Sequence, residues 1–136
     1  MSVRPLGSGV PLVIDTSAWN RQRDPRVLAR WHATNDADLF VSCPVAVLEI
    51  LTATRNEGEF AAADAAFAAI PQVPITASIT RAALGAAREL KGSRRLPVAD
   101  YLIAAAASER GFGVLHADKH FDLLATVLPF ESVRLP

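Results

Sequence analysis

Short, wholly apolar runs punctuate this chain, and between them apolar and polar positions recur at helical spacing. Leu12–Ile14, Leu39–Val41 and Gly113–His116 read as strands buried on both faces, because a strand with one wet face would alternate instead. A further strand is expected over Val73–Thr76, and a final edge strand over Ser132–Leu135. The chain should turn helical after Asp15-Thr16-Ser17, break at Asp24-Pro25 and resume from about Pro25 to Asn35. Ser42 and Pro44 give a start signal for a helix reaching about Asn56, which Gly58 separates from an alanine-rich helix over Glu59–Ala69. That alanine run is expected to reflect close helix packing. Further helices follow over Ser78–Lys91, over Pro97–Arg110 closed by Gly111, and over His120–Val127. Alternating strands and helices predict an α/β layered fold, with a mainly parallel central sheet of four to five strands flanked by helices.

The segment 1–11 carries two prolines and two glycines and is expected to be a flexible leader, which leaves 12–136 as a single domain. Gly7-Ser8-Gly9 is not a phosphate loop: it lacks the Gly-Lys-Ser/Thr ending and precedes a strand. A chain of 136 residues with 51% hydrophobic and 21% charged residues has enough apolar content for one core without covalent staples. Formal net charge is zero, so no global field announces a polyanionic partner. The single cysteine, Cys43, excludes an internal disulfide and a cysteine-based zinc site, and its apolar surroundings suit a small core residue. No apolar stretch is long enough to span a bilayer and no signal-peptide core is present, so a cytoplasmic location without membrane attachment is expected.

Against this background four carboxylates stand out: Asp15, Glu49, Asp100 and Asp118 each sit in an apolar run. An ionised carboxylate among apolar groups is costly unless compensated, and a shared cation would compensate four at once. Asp15 and Asp118 follow strands directly, at the carboxyl edge where parallel sheets collect ligands. Asp100 falls in the first turn of its helix, and Glu49 about a turn and a half into its own. Local roles are open as well: Asp15 and Asp118 fit helix caps, and Asp100 fits a helix N-terminus. Oxygen ligands of this kind suit Mg²⁺ or Mn²⁺. His116 and His120 straddle a strand-to-helix turn and so lack helical ligand spacing, while His32 beside Trp31 reads as structural.

The matching pieces are Val13-Ile14-Asp15-Thr16-Ser17, Leu48-Glu49-Ile50-Leu51 with Thr54-Arg55 behind it, Pro97-Val98-Ala99-Asp100-Tyr101-Leu102-Ile103-Ala104-Ala105, and Val114-Leu115-His116-Ala117-Asp118-Lys119-His120-Phe121-Asp122. In this order they closely resemble the PIN-domain ribonucleases, specifically the VapC-type toxins of bacterial toxin–antitoxin pairs. The resemblance runs from Leu12 to Leu135 and implies a three-layer PIN-like fold. It implies that Asp15, Glu49, Asp100 and Asp118 hold Mg²⁺ (Mn²⁺ as a substitute), with Thr16 or Ser17 bracing the first aspartate or a metal-bound water. Many relatives have another acid where this chain has His120, so a second ion would be held weakly or with help from Asp122.

The implied reaction is endonucleolytic hydrolysis of RNA to 5′-phosphate and 3′-hydroxyl ends. The implied partners are the RNA, a VapB-type antitoxin whose tail covers the acidic cleft, and a second copy of the chain in a homodimer. The apolar surfaces around Ala61–Ala69 and Ala82–Leu90 are candidates for partner contact, although core packing explains them as well. Arg21, Arg23, Arg26 and Arg30, with Arg94 and Arg95, are candidate contacts for the phosphate backbone, with solvated surface arginines as the alternative. Two other functions fit less of the sequence. A small-substrate phosphoesterase of the aspartyl-phosphate type would want an Asp-x-Asp pair after the first strand. A catalytically silent RNA- or protein-binding module would not need all four acids.

Overall fold

A computed structural model describes residues 2–92 and 95–136. Four strands, β1 (Leu12–Ile14), β2 (Phe40–Val41), β3 (Gly113–His116) and β4 (Glu131–Arg134), form one sheet in the order β2-β1-β3-β4. All neighbours are parallel, with Leu12 opposite Phe40 and Gly113, and Gly113 opposite Glu131. Among the described residues seven helices surround it: α1 (Thr16–Trp19), α2 (Leu28–Asp36), α3 (Pro44–Thr52), α4 (Glu57–Ala68), α5 (Ala77–Leu90), α6 (Val98–Arg110) and α7 (Lys119–Leu124).

The pleat sorts the sheet's side chains into two cores. Leu12, Ile14 and Leu115 pack with Val27, Trp31 and Phe40 on the α2 side, whereas Val13 and Val114 pack with Ile79, Ile103 and Phe121 on the side of α5, α6 and α7. The result is the expected three-layer α/β arrangement. Helix α6 is its most buried helix: Ile103 and Ala104 through Ala107 have no exposure, and the small side chains let α6 approach both α5 and the sheet closely. Chain order reverses between β1 and β3, which opens a crevice at their carboxyl ends.

Several expectations are corrected. The expected leader is anchored at one point: Leu6 is buried, its N–H donates to Thr34 Oγ1 at 2.8 Å, and Arg30 binds the carbonyls of Arg4 and Pro5, while residues 2–4 and 7–9 are exposed. Val73–Thr76 is no strand. Pro74 removes a ladder donor, and only a single bridge between Ser42 and Gln72 forms beside β2. Helix α2 starts at Leu28, because the Asp24 side chain accepts the Arg26 N–H and shapes a turn first. Helix α3 stops at Thr52, and Asn56 caps α4 by accepting the Glu59 N–H, so Gly58 lies inside α4. The alanines of α4 are mostly exposed, with only Ala63 and Phe67 buried. No described helix is long and apolar enough to cross a membrane.

Candidate metal centre and active site

Asp15 follows β1 directly, and its N–H donates to Leu115 O at 3.0 Å, which places it over the β1–β3 seam. As the cap of α1, its Oδ2 accepts the Ser17 N–H at 3.0 Å and also the Ser17 hydroxyl. Ser17 Oγ in turn accepts the Ala117 N–H at 2.9 Å. One hydroxyl thus ties the first acid to the turn that carries the last. The expected brace on Asp15 is therefore Ser17, while Thr16 turns towards Glu49.

Asp118 caps α7, its Oδ1 accepting the His120 N–H at 3.0 Å. That turn brings the His120 ring back over the crevice, with Nδ1 3.0 Å from Asp100 Oδ2 and 3.2 Å from Asp118 Oδ2. Asp100 reaches the same point from the first turn of α6, where it is buried. Asp100, Asp118 and His120 each offer one ligand atom within 4.8 Å of the others. The Asp100 carboxyl is pushed up to about 6, first by burial and then by the charge of Asp15, while its bond to His120 pulls the other way. These three residues could offer an ion two carboxylates and an imidazole, His120 adding a nitrogen to the oxygen ligands read from the sequence.

Glu49 is placed differently from its sequence setting. The apolar run around it is partly solvent-facing, Leu48 being 64% exposed, and Glu49 itself is exposed at the mouth of the cleft. It is tied to the crevice through Thr16, whose Oγ1 donates to Glu49 Oε1 at 3.3 Å. Asp122 is peripheral: its carboxylate accepts from Ser132 Oγ and Arg134 Nη1 at 2.8 and 3.2 Å and stands outside the three-residue cluster. His116 likewise is not among the three clustered ligand groups, being wholly buried, with burial holding its pKa below the ordinary value.

The arginines divide into two groups. Arg26 is paired with Asp24, Arg30 holds the N-terminal carbonyls, and Arg21 Nη1 donates to Pro136 O at 2.8 Å. Arg26 and Arg30 each spend Nε and Nη2 on these partners, away from the acidic cluster. Arg94 lies outside the described residues. Arg95 lines a cavity of about 370 Å³ with Leu96, Lys119, His120 and Leu123, directly beside the cluster. The one sign of Lys119 in the sequence is its place directly after Asp118. Arg23 lines two adjoining grooves of about 780 and 650 Å³ that share Trp19 and run along α4 towards Thr16.

Three acids and an imidazole in a switch-point crevice, with cations at the rim, suit a divalent ion and a phosphate ester. The family model described as PIN domain matches residues 12–127. This chain belongs to the PIN-domain family. Within that family it is similar to ribonuclease VapC51 of Mycobacterium tuberculosis H37Rv, at 38% identity over 120 residues and 85% of each chain. Ribonuclease VapC18 of the same organism is 32% identical over 119 residues, covering 84% of this chain and 87% of its own. Among solved structures, DNA-bound VapBC from Salmonella typhimurium matches the PIN domain with a TM-score of 0.74 at 13% identity, covering 92% of this chain and 98% of that one. VapBC-1 from nontypeable Haemophilus influenzae gives 0.74 at 15% identity with the same coverage.

Proposed function

We propose that this PIN domain is a divalent-metal-dependent endoribonuclease of the VapC type, restrained in its host by a VapB-type antitoxin. The observation that carries the reading is the convergence of Asp100, Asp118 and His120 to within 4.8 Å, beside Asp15, at the carboxyl ends of β1 and β3. Asp100, Asp118 and His120 would hold the ion, and Asp15 would add charge from the β1 side. Mg²⁺ suits the carboxylates, and the imidazole nitrogen tilts the set towards Mn²⁺. When bound, the ion would lower the pKa of a water and neutralise charge on the phosphoryl oxygens.

The chain's own groups supply the rest. Thr16 holds the Glu49 carboxylate at the cleft mouth, where it can accept the proton of the attacking water. Arg95 and Lys119 line the adjoining cavity and would take a neighbouring phosphate, with Leu96 and Leu123 offering an apolar floor to sugar or base. Products with 5′-phosphate and 3′-hydroxyl ends follow from water attacking the phosphorus and the 3′ oxygen leaving. The aromatic groove built on Trp19, Trp31 and Phe67, which leads towards Thr16, is suited to an apolar antitoxin segment continuing over the acids.

The test is expression of the parent and of Asp15→Asn, followed by mapping of new 5′ ends in total RNA. The parent should create metal-dependent ends and arrest growth; the variant, which keeps a capping oxygen, should fold and do neither. Parental cleavage by Asp15→Asn would overturn the assignment.

A further inference from the structure

Edge strand β4 reaches the acidic cluster through a buried imidazole. His116, the last residue of β3, has no exposure, and its Nδ1 accepts the Asp118 N–H at 3.1 Å. The neutral ring must then carry its proton on Nε2, which lies 2.7 Å from Ser132 Oγ on β4. Ser132 spends its own hydrogen on Asp122 Oδ1 at 2.8 Å, and Asp122 Oδ2 accepts from Arg134 Nη1 at 3.2 Å. Each bond fixes the direction of the next. Since Ser17 Oγ holds the Ala117 N–H, two successive amides of the β3–α7 turn are pinned by side chains.

Packing alone does not call for this series. A phenylalanine of similar outline would fill the space beside Phe121 without the cost of burying a polar ring. What histidine adds is an acceptor for the Asp118 amide and a donor towards β4. Strand pairing supports the same link, because Leu135 N–H donates to His116 O at 2.7 Å.

We propose that His116, Ser132 and Asp122 are positioning residues that hold the Asp118 turn so its carboxylate meets Asp100 and His120 at cation-binding spacing. Strand β4 thereby sets the affinity of a centre it does not touch. This inference rests on the metal-dependent reading of the site, and its test is Mn²⁺ binding by calorimetry without RNA. Parent, Asp118→Asn, His116→Phe, His116→Asn and Ser132→Ala are compared, each also melted in EDTA.

Partners of this kind typically change metal affinity about 10–100-fold. We expect a loss at the lower end of that range for His116→Phe and a smaller one for Ser132→Ala. His116→Asn, whose Oδ1 stands in for Nδ1, should recover most of the loss. Nitrogen NMR of the parent ring should show an unprotonated Nδ1. Parental Mn²⁺ affinity in folded His116→Phe and Ser132→Ala would overturn the positioning role alone, as would an equal loss in His116→Asn and His116→Phe. A parent that binds no Mn²⁺ would overturn the metal reading with it. Should His116→Phe fail to fold, Ser132→Ala decides the matter, since Ser132 is only half-buried and the substitution leaves the His116 ring in place.

Discussion

Replacing Asp100 by Asn should make the metal-free protein more stable. The carboxyl is buried, and both its burial and the Asp15 charge oppose ionisation, moving it from 3.8 to about 6 despite the His120 bond. At about 1.4 kcal/mol per tenfold, that displacement corresponds to about 3 kcal/mol of strain on the ionised form. The cleft admits solvent, which screens part of it, so about 1–2 kcal/mol should be recovered, or roughly 3–8 °C in Tm. The sign with pH is fixed by proton binding. Between about pH 4 and pH 6 the native state binds more protons at Asp100 than the unfolded chain does, so this contribution to stability falls as pH rises. The gain from Asn should accordingly be full at pH 7 and vanish near pH 4. Thermal melts in EDTA across this range measure it, and Mn²⁺ added at pH 7 should raise the Tm of the parent but not of the variant. An unchanged or lowered Tm for Asp100→Asn at pH 7 would refute the claim that this site is electrostatically strained when empty.

Gly113→Ala should cost about 1–3 kcal/mol, because a Cβ there would lie 2.8 Å from Leu12 Cδ2 and 2.9 Å from the Glu131 carbonyl oxygen; thermal unfolding reads it directly. Leu6→Ala should cost about 2–3 kcal/mol and speed amide exchange at Leu6, since the N-terminal strap is anchored by that side chain. Arg95→Ala with Lys119→Ala should raise KM with little change in kcat, and should flatten the salt dependence of RNA binding by about two charges. A salt slope identical to the parent's would remove both residues from the strand path.

Sheet order could not be read from the sequence, yet the strands that frame the crevice could. Leu12–Ile14 and Gly113–His116 are apolar throughout because both of their faces are covered, and the acids after them fall on the ligand edge for that same reason. Boundaries failed where side chains compete with backbone. Asn56 took a capping role, so Gly58 did not act as a breaker, and Pro74 stopped a strand that hydrophobicity alone suggested. Glu49 misled because an apolar run does not say which of its faces is wet; Leu48 beside it points to solvent. The His116–Ser132–Asp122 series was illegible, since it depends on β3 and β4 being paired in one register, with His116 opposite Arg134.

The acids of the cleft differ in how they are held when no cation is present, and this decides which substitutions separate chemistry from folding. Asp15 and Asp118 each spend one oxygen on a helix cap, so they keep their orientation without an ion. Truncation of either to Ala removes a charge and a cap together, the cap alone being worth about 1 kcal/mol. Asn keeps an acceptor at the same place and removes only the charge. At Asp15 and Asp118, then, Asn variants isolate the chemistry, whereas lost activity in Ala variants mixes two causes. Glu49 caps nothing and is exposed, held through Thr16. Glu49→Gln and Glu49→Ala should therefore behave alike in stability, within about 0.5 kcal/mol of the parent. If both also bind Mn²⁺ as the parent does but fail to cleave, Glu49 acts on the water's proton and not on the ion.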